Sequence, residues 1–91
     1  MSTETLSQED VLLKEQTVKE HNLILFNDNV NTFDHVIELL IKVCDHEAIQ
    51  AEQCATLVHY SGKCAVKKGE FDYLQTLGEI LADNGLTVEI N

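Results

Sequence analysis

The residue types able to do chemistry in this chain gather in two places. Asn27-Asp28 is followed closely by Asp34, and cysteines and histidines recur at Cys44, His46, Cys54, His59 and Cys64. Zinc needs three or four such ligands converging on one point. The spacing fits no common zinc pattern, and His46-Glu47 lacks the second histidine of a metalloprotease helix, since Gln50 stands at the matching position. Cys44 and Cys54 are explained as small hydrophobes on helix faces. Cys64 beside His59 would make a thiol nucleophile only with a third group to hold the imidazole, and no local signature supplies one. A chain of 91 residues also leaves little room for a substrate cleft, an oxyanion site and a core together. Asp28 and Asp34 could share acid–base work, but a turn and a helix start explain them more simply. Gly62, Gly69, Gly78 and Gly85 are isolated, so no phosphate loop exists. No catalytic residue, metal ligand or cofactor is assigned.

Composition narrows the partners. The chain carries 16 Asp+Glu against 6 Lys+Arg, none of them Arg, for a formal charge of −10. Its lysines form no stripe, so nucleic acid is not an expected partner. An acidic surface attracts cationic groups such as an amino terminus or a basic patch, or serves solubility alone. Three cysteines, an odd number, argue against a disulfide framework and for a reducing cytoplasm. No apolar run approaches the roughly 20 residues that span a bilayer. MSTETLSQED lacks the basic and apolar regions of a signal peptide.

The elements that must position these residues follow from periodicity. Residues 1–21 are thinly apolar and read as a flexible or marginally helical acidic tail; residues 22–91 read as one folded core. Leu23 to Phe26 is a short β-type run, stopped by Asn27-Asp28-Asn29, residues that favour turns. Asn31 or Thr32 caps the first helix, where Phe33, Val36, Ile37, Leu40 and Ile41 recur at i, i+3, i+4, i+7, i+8, the spacing of a buried face. Leu39, Val43 and Cys44 widen that stripe, and Asp45-His46 ends the helix. A second helix over Glu47 to Tyr60 turns Ala48, Ala51, Ala55 and Val58 inward, with Cys54 and Leu57 alongside; the alanines let two helices approach closely. Gly62 closes it in the left-handed conformation. Cys64-Ala65-Val66 reads as a strand and Lys67-Lys68-Gly69 as a polar break. Glu70 to Asn84 reads as a third helix with Phe71, Leu74, Leu77 or Gly78, and Leu81 inside. Leu86, Val88 and Ile90 alternate as a strand with one buried face. The result is a small single α+β domain in β-α-α-β-α-β order, three strands backed by three helices.

His59 lies near the end of a largely apolar helix, where a histidine caps the helix, packs half-buried, or acts as a switch or hydrogen-bond partner. Its surroundings carry more information. LFNDN, an apolar helix, and then LVHYSGK about thirty residues later resemble the ClpS family, adaptors of Clp-type AAA+ proteases, with likeness from Leu23 to Ile90. Asn27-Asp28 and Val58-His59-Tyr60-x-Gly62-Lys63 are its most specific parts. The resemblance implies a core similar to the C-terminal domain of the ribosomal stalk protein, and a tail that engages the chaperone. It also implies non-catalytic recognition of N-degrons, substrates that begin with Leu, Phe, Tyr or Trp. A free α-ammonium carries a charge and three donors, which calls for several acceptors, one of them anionic. Carried over by position, Asn27, Asp28 and His59 bind the ammonium, and Phe33, Val36, Ala55, Val58 and Leu86 line the side-chain pocket. Asp72 stands at a chaperone-contact position. The implied partner is the N-terminal domain of a Clp-type AAA+ chaperone, met by a monomeric adaptor in the cytoplasm.

The chain departs from the family at several positions. Asn29 stands where Asp is common, Thr32-Phe33 where Pro-Met is frequent, and Leu77 where a Lys is expected. A rigid ring at the family's gatekeeper position narrows the pocket or tilts its preference. The alternative reading is a ClpS-like or stalk-like interaction domain that does not bind N-degrons and uses another surface, such as the acidic face of the third helix, for a basic partner.

Overall fold

The apolar run at Leu23 becomes the central strand of the sheet. In the computed structural model, which describes residues 19–91, β1 (His21–Phe26) lies between β2 (Lys63–Gly69) and β3 (Thr87–Ile90) and pairs with both antiparallel. The tail read over residues 1–21 falls outside the described residues up to residue 18. His21, its last residue, already belongs to β1: its Nδ1 donates to the Asn91 carbonyl at 3.3 Å, and its ring meets Phe71 edge-on. Leu23 and Leu25 are buried at 0% and 1% exposure, as alternation along a half-covered strand requires.

Helices α1 (Phe33–Cys44), α2 (Ala48–Ser61) and α3 (Phe71–Asp83) complete the β-α-α-β-α-β order and the α+β fold read from the sequence. Leu40, Cys44, Ala51, Val58, Leu74 and Leu81 meet Leu23, Leu25 and Val66 in one core. Of the two candidate caps, Thr32 is the one used: its Oγ1 accepts from the His35 N–H at 3.1 Å. Asp45 ends α1 in the left-handed conformation at φ 64°.

Three readings change. The buried face of α1 is centred on Leu39, Leu40 and Cys44, with Val36, Ile37 and Val43 flanking it, while Phe33 and Ile41 are 44% and 37% exposed. The helical period is kept but the stripe is rotated, because α2 and α3 cover α1 from two directions. In α2, Ala51, Cys54, Ala55 and Val58 face inward, whereas Ala48 and Leu57 are exposed; in α3, Phe71 is half-exposed.

The third change concerns Lys67-Lys68-Gly69, which continues β2 instead of breaking it. Leu23 pairs with Lys67 and Ile24 with Ala65, so Val66 is an extra residue, a β-bulge that disrupts the simple alternation. The bulge is held from the α1–α2 link. His46 is buried, and its Nε2 donates to the Val66 carbonyl at 2.6 Å, while Lys67 Nζ donates to the Cys44 carbonyl at 3.1 Å. Bulge and lysines also blunt β2 as an edge strand.

Candidate functional site

The site is built on the loop from Asn27 to Thr32. Two-residue preferences explain why the strand stops there, but hydrogen bonds decide the loop's shape. Asp28 Oδ1 accepts from the backbone N–H groups of Val30 and Asn31, both at 2.9 Å, and Oδ2 accepts from Asn31 Nδ2 at 2.8 Å. The Asn31 amide donates a second time, to the Gly85 carbonyl at 2.8 Å. His35 Nε2 donates to the neighbouring Asn84 carbonyl at 3.0 Å. The turn after α3 is thereby tied to the loop and to the first turn of α1.

The other side of the site comes from α2. Gly62 caps that helix at φ 95°, its N–H donating to the Val58 carbonyl at 3.0 Å. Its own carbonyl accepts from the Asn27 N–H at 2.9 Å. The exit of β1 and the exit of α2 are therefore joined backbone to backbone, which sets His59, one turn before the cap, beside Asn27-Asp28.

Between them lies a cavity of about 330 Å³. Its polar lining is Asn27, Asp28, Asn29, Asn31, Thr32 and His59; its apolar lining is Phe33, Val36, Ala55 and Val58. The Phe33 and His59 rings meet edge to face, 6.4 Å apart and 87° inclined, and His59 makes a similar contact with Tyr60 at 4.7 Å. The donated hydrogen bond from the Asn31 backbone is the largest influence on the Asp28 carboxyl, and together with those of Val30 and the Asn31 side chain it outweighs burial and lowers the pKa. Asp28 thus carries its charge into the cavity at neutral pH.

Seven of the eight residues expected at the site share this cavity. Leu86 does not; it is buried at 5% exposure in the core just after the turn that closes α3. Asp72 is exposed in the first turn of α3, and Leu77, which stands where a lysine was expected, is a core residue. Asn29, Asn31 and Thr32 were missed as lining residues. Their types read as a turn and a helix cap, and nothing local distinguishes an amide that shapes a loop from one that also faces a cavity.

Two of the three thiols, Cys44 and Cys54, are buried and held in the protonated form. Burial pushes Cys44 up to about 11 and Cys54 up to about 12, the latter with help from the neighbouring Cys64. Cys64 does not line the cavity with His59. Among the described residues no group of three His, Cys, Asp or Glu side chains is placed to hold a metal ion. No helix among them is long and apolar enough to cross a membrane.

Fold and cavity together define a small domain with a pocket that pairs an apolar wall with a cluster of acceptors. The particular family follows from the sequence: a family model for ClpS, the ATP-dependent Clp protease adaptor protein, matches residues 16–89, and the chain belongs to that family. Its fold is shared with Agrobacterium tumefaciens ClpS2, whose structure was determined bound to L-phenylalaninamide. The TM-score is 0.77 at 20% identity, covering 80% of this chain and 95% of that one.

Proposed function

We propose that this adaptor binds the free α-amino group and bulky apolar first side chain of N-degron substrates and delivers them, without catalysis, to a Clp-type AAA+ chaperone-protease in the cytoplasm. The observation that carries this reading is the shared cavity. Asn27, Asp28 and His59 line it together with Phe33, Val36, Ala55 and Val58, so acceptors for a cation and a surface for an apolar side chain open into the same space.

The chemistry suits an amino terminus. An ammonium has three N–H donors and no acceptor. Asp28 already accepts three hydrogen bonds within its loop, which leaves about one of its roughly four lone-pair sites and its full charge for a ligand. The Asn27 side-chain carbonyl and an imidazole nitrogen of His59 supply the remaining acceptors. Asn29 brings another amide to the same mouth. The first side chain of the substrate then packs on Phe33, Val36, Ala55 and Val58, where its apolar area leaves water. The bound ligand of ClpS2, an amino-acid amide with a free amine and a benzyl side chain, has the same two features.

Delivery requires a surface for the N-terminal domain of the chaperone, and Asp72 on α3 is the acidic contact assigned to it. The adaptor acts as a monomer in this reading. The test is a titration of peptides beginning with free Leu, Phe, Tyr or Trp. Binding that vanishes on acetylation of the amino group supports the reading; equal affinity for both forms, or none for either, overturns it.

A second reading rests on a groove of about 430 Å³ between α3 and β3, where Phe71, Val88 and Ile90 lie beside Glu79 and Glu89. An apolar floor with acidic walls suits a basic partner that bypasses the first cavity. Loss of partner capture on charge reversal at Glu79, with no peptide binding at Asp28, would favour it.

A further inference from the structure

We infer that Asn31 is the positioning residue of the amine-binding loop, setting the Asp28 carboxylate through one N–H of its side chain and anchoring that arrangement to the turn after α3 through the other. This role rests on the reading of the cavity as an amino-terminus site. Asn31 Nδ2 lies 2.8 Å from Asp28 Oδ2 and 2.8 Å from the Gly85 carbonyl. A primary amide has two N–H donors on one nitrogen, and both are used here. The Asn31 backbone N–H holds the other carboxylate oxygen at 2.9 Å, so one residue grips both oxygens of Asp28.

The geometry separates this role from filling space. Asn31 is half-buried at the cavity, and Gly85 opposite it lies at φ 93°, with Asn31 Oδ1 3.5 Å from where a Cβ would stand. The shape of Asn31 is matched by aspartate, which has no N–H to donate and would set a second negative charge against Asp28. Packing alone therefore ranks Asn31→Asp as milder than Asn31→Ala, whereas positioning by donation ranks it as more severe. His35 offers a control, because its Nε2 holds the adjacent Asn84 carbonyl at 3.0 Å without touching Asp28.

The experiment is a binding titration of a fluorescent peptide with a free N-terminal Phe against the full chain, its Asn31→Ala, Asn31→Asp and His35→Ala variants, with the acetylated peptide as blank and melting temperatures in parallel. Asn31→Ala is expected to weaken binding on the order of tenfold, as for loss of a hydrogen bond to a charged group. Asn31→Asp weakens it further, and His35→Ala lowers the melting temperature while leaving affinity within about twofold, as for a site without a shared partner. Should the Asn31 variants melt early, affinities taken below their transitions give the same ranking. Asn31→Asp binding as well as or better than Asn31→Ala overturns the inference, as does an equal loss in His35→Ala. A native chain that ignores the free-amine peptide overturns the reading of the cavity itself.

Discussion

The Asn27 N–H donates to the carbonyl of Gly62 at 2.9 Å, and through that bond the turn after β1 is held to the last turn of α2. The two residues are far apart in the chain, yet the bond defines the distance between Asn27-Asp28 and His59. Gly62 holds its half of the arrangement at φ 95°, a backbone state that costs an L side chain on the order of 1–2 kcal/mol.

Gly62→Ala is therefore expected to destabilise the domain by about 1–2 kcal/mol through backbone conformation alone, since among the described residues no atom beyond its chain neighbours lies within 4 Å of the added methyl. Urea denaturation measures this. A loss beyond that range would mean that the bond from the Asn27 N–H to the Gly62 carbonyl breaks as well.

His46→Ala removes a fully packed ring and the only side-chain donor to the Val66 carbonyl at the bulge among the described residues. The expected cost is about 2–4 kcal/mol, a cavity plus an unsatisfied buried carbonyl. Chemical denaturation checks the loss, and peptide affinity of the remaining folded protein should be unchanged, because His46 does not line the cavity.

Asp28 carries a pH signature. Its folded pKa is lowered below the 3.8 of a free side chain by the hydrogen bonds from Asn31 and Val30. The unfolded chain thus binds the proton first as pH falls, so the stability from Asp28 is fully present above that unfolded value and is lost as pH drops through the lowered folded one. Asp28→Asn should flatten the native protein's stability curve in that acid window and leave it nearly parallel above about pH 5. Thermal melts across pH read it. In the proposed role, Asp28→Ala also weakens free-amine peptide binding by about 2–5 kcal/mol, and unchanged affinity would assign the carboxylate to the turn alone.

Phe33 is 44% exposed, so Phe33→Ala should cost under about 1 kcal/mol of stability, as for a half-solvated side chain. Its edge-to-face contact with His59 adds to the aromatic wall of the cavity. In the proposed role the substitution is expected to weaken peptides beginning with Phe by about 1 kcal/mol and, by widening the pocket, to raise the affinity of those beginning with the β-branched Val or Ile. A panel differing only in the first residue measures both effects.

Much of the fold was legible because local rules and burial agree along most of the chain. Leu23 and Leu25 alternate on a strand that is covered on one side; Thr32 and Gly62 cap helices as their side chains and backbone favour. The readings that shifted are those where tertiary packing chose among locally equal options. Period 3.6 yields a stripe on α1 but not which side neighbouring elements will cover, so Leu39 went inward and Phe33 remained at the cavity. A bulge at Val66 interrupts the alternation that would have identified Lys67 and Lys68 as strand residues. Leu86 is apolar and near the site in sequence pattern, but its side chain joined the core.

By itself the sequence determined the order of elements, the acidic charge, the family resemblance and the chemical identity of the acceptors, since each depends on residue type and short-range spacing. Only the tertiary structure decided that Asn27, Asp28 and His59 meet apolar side chains in one cavity, that Asn31 holds Asp28 to Gly85, and that Leu86 stays away. Those relations join residues distant in the chain through single hydrogen bonds and the direction in which each side chain is buried. Such contacts are selected by the packing of the whole domain, and no local preference specifies them.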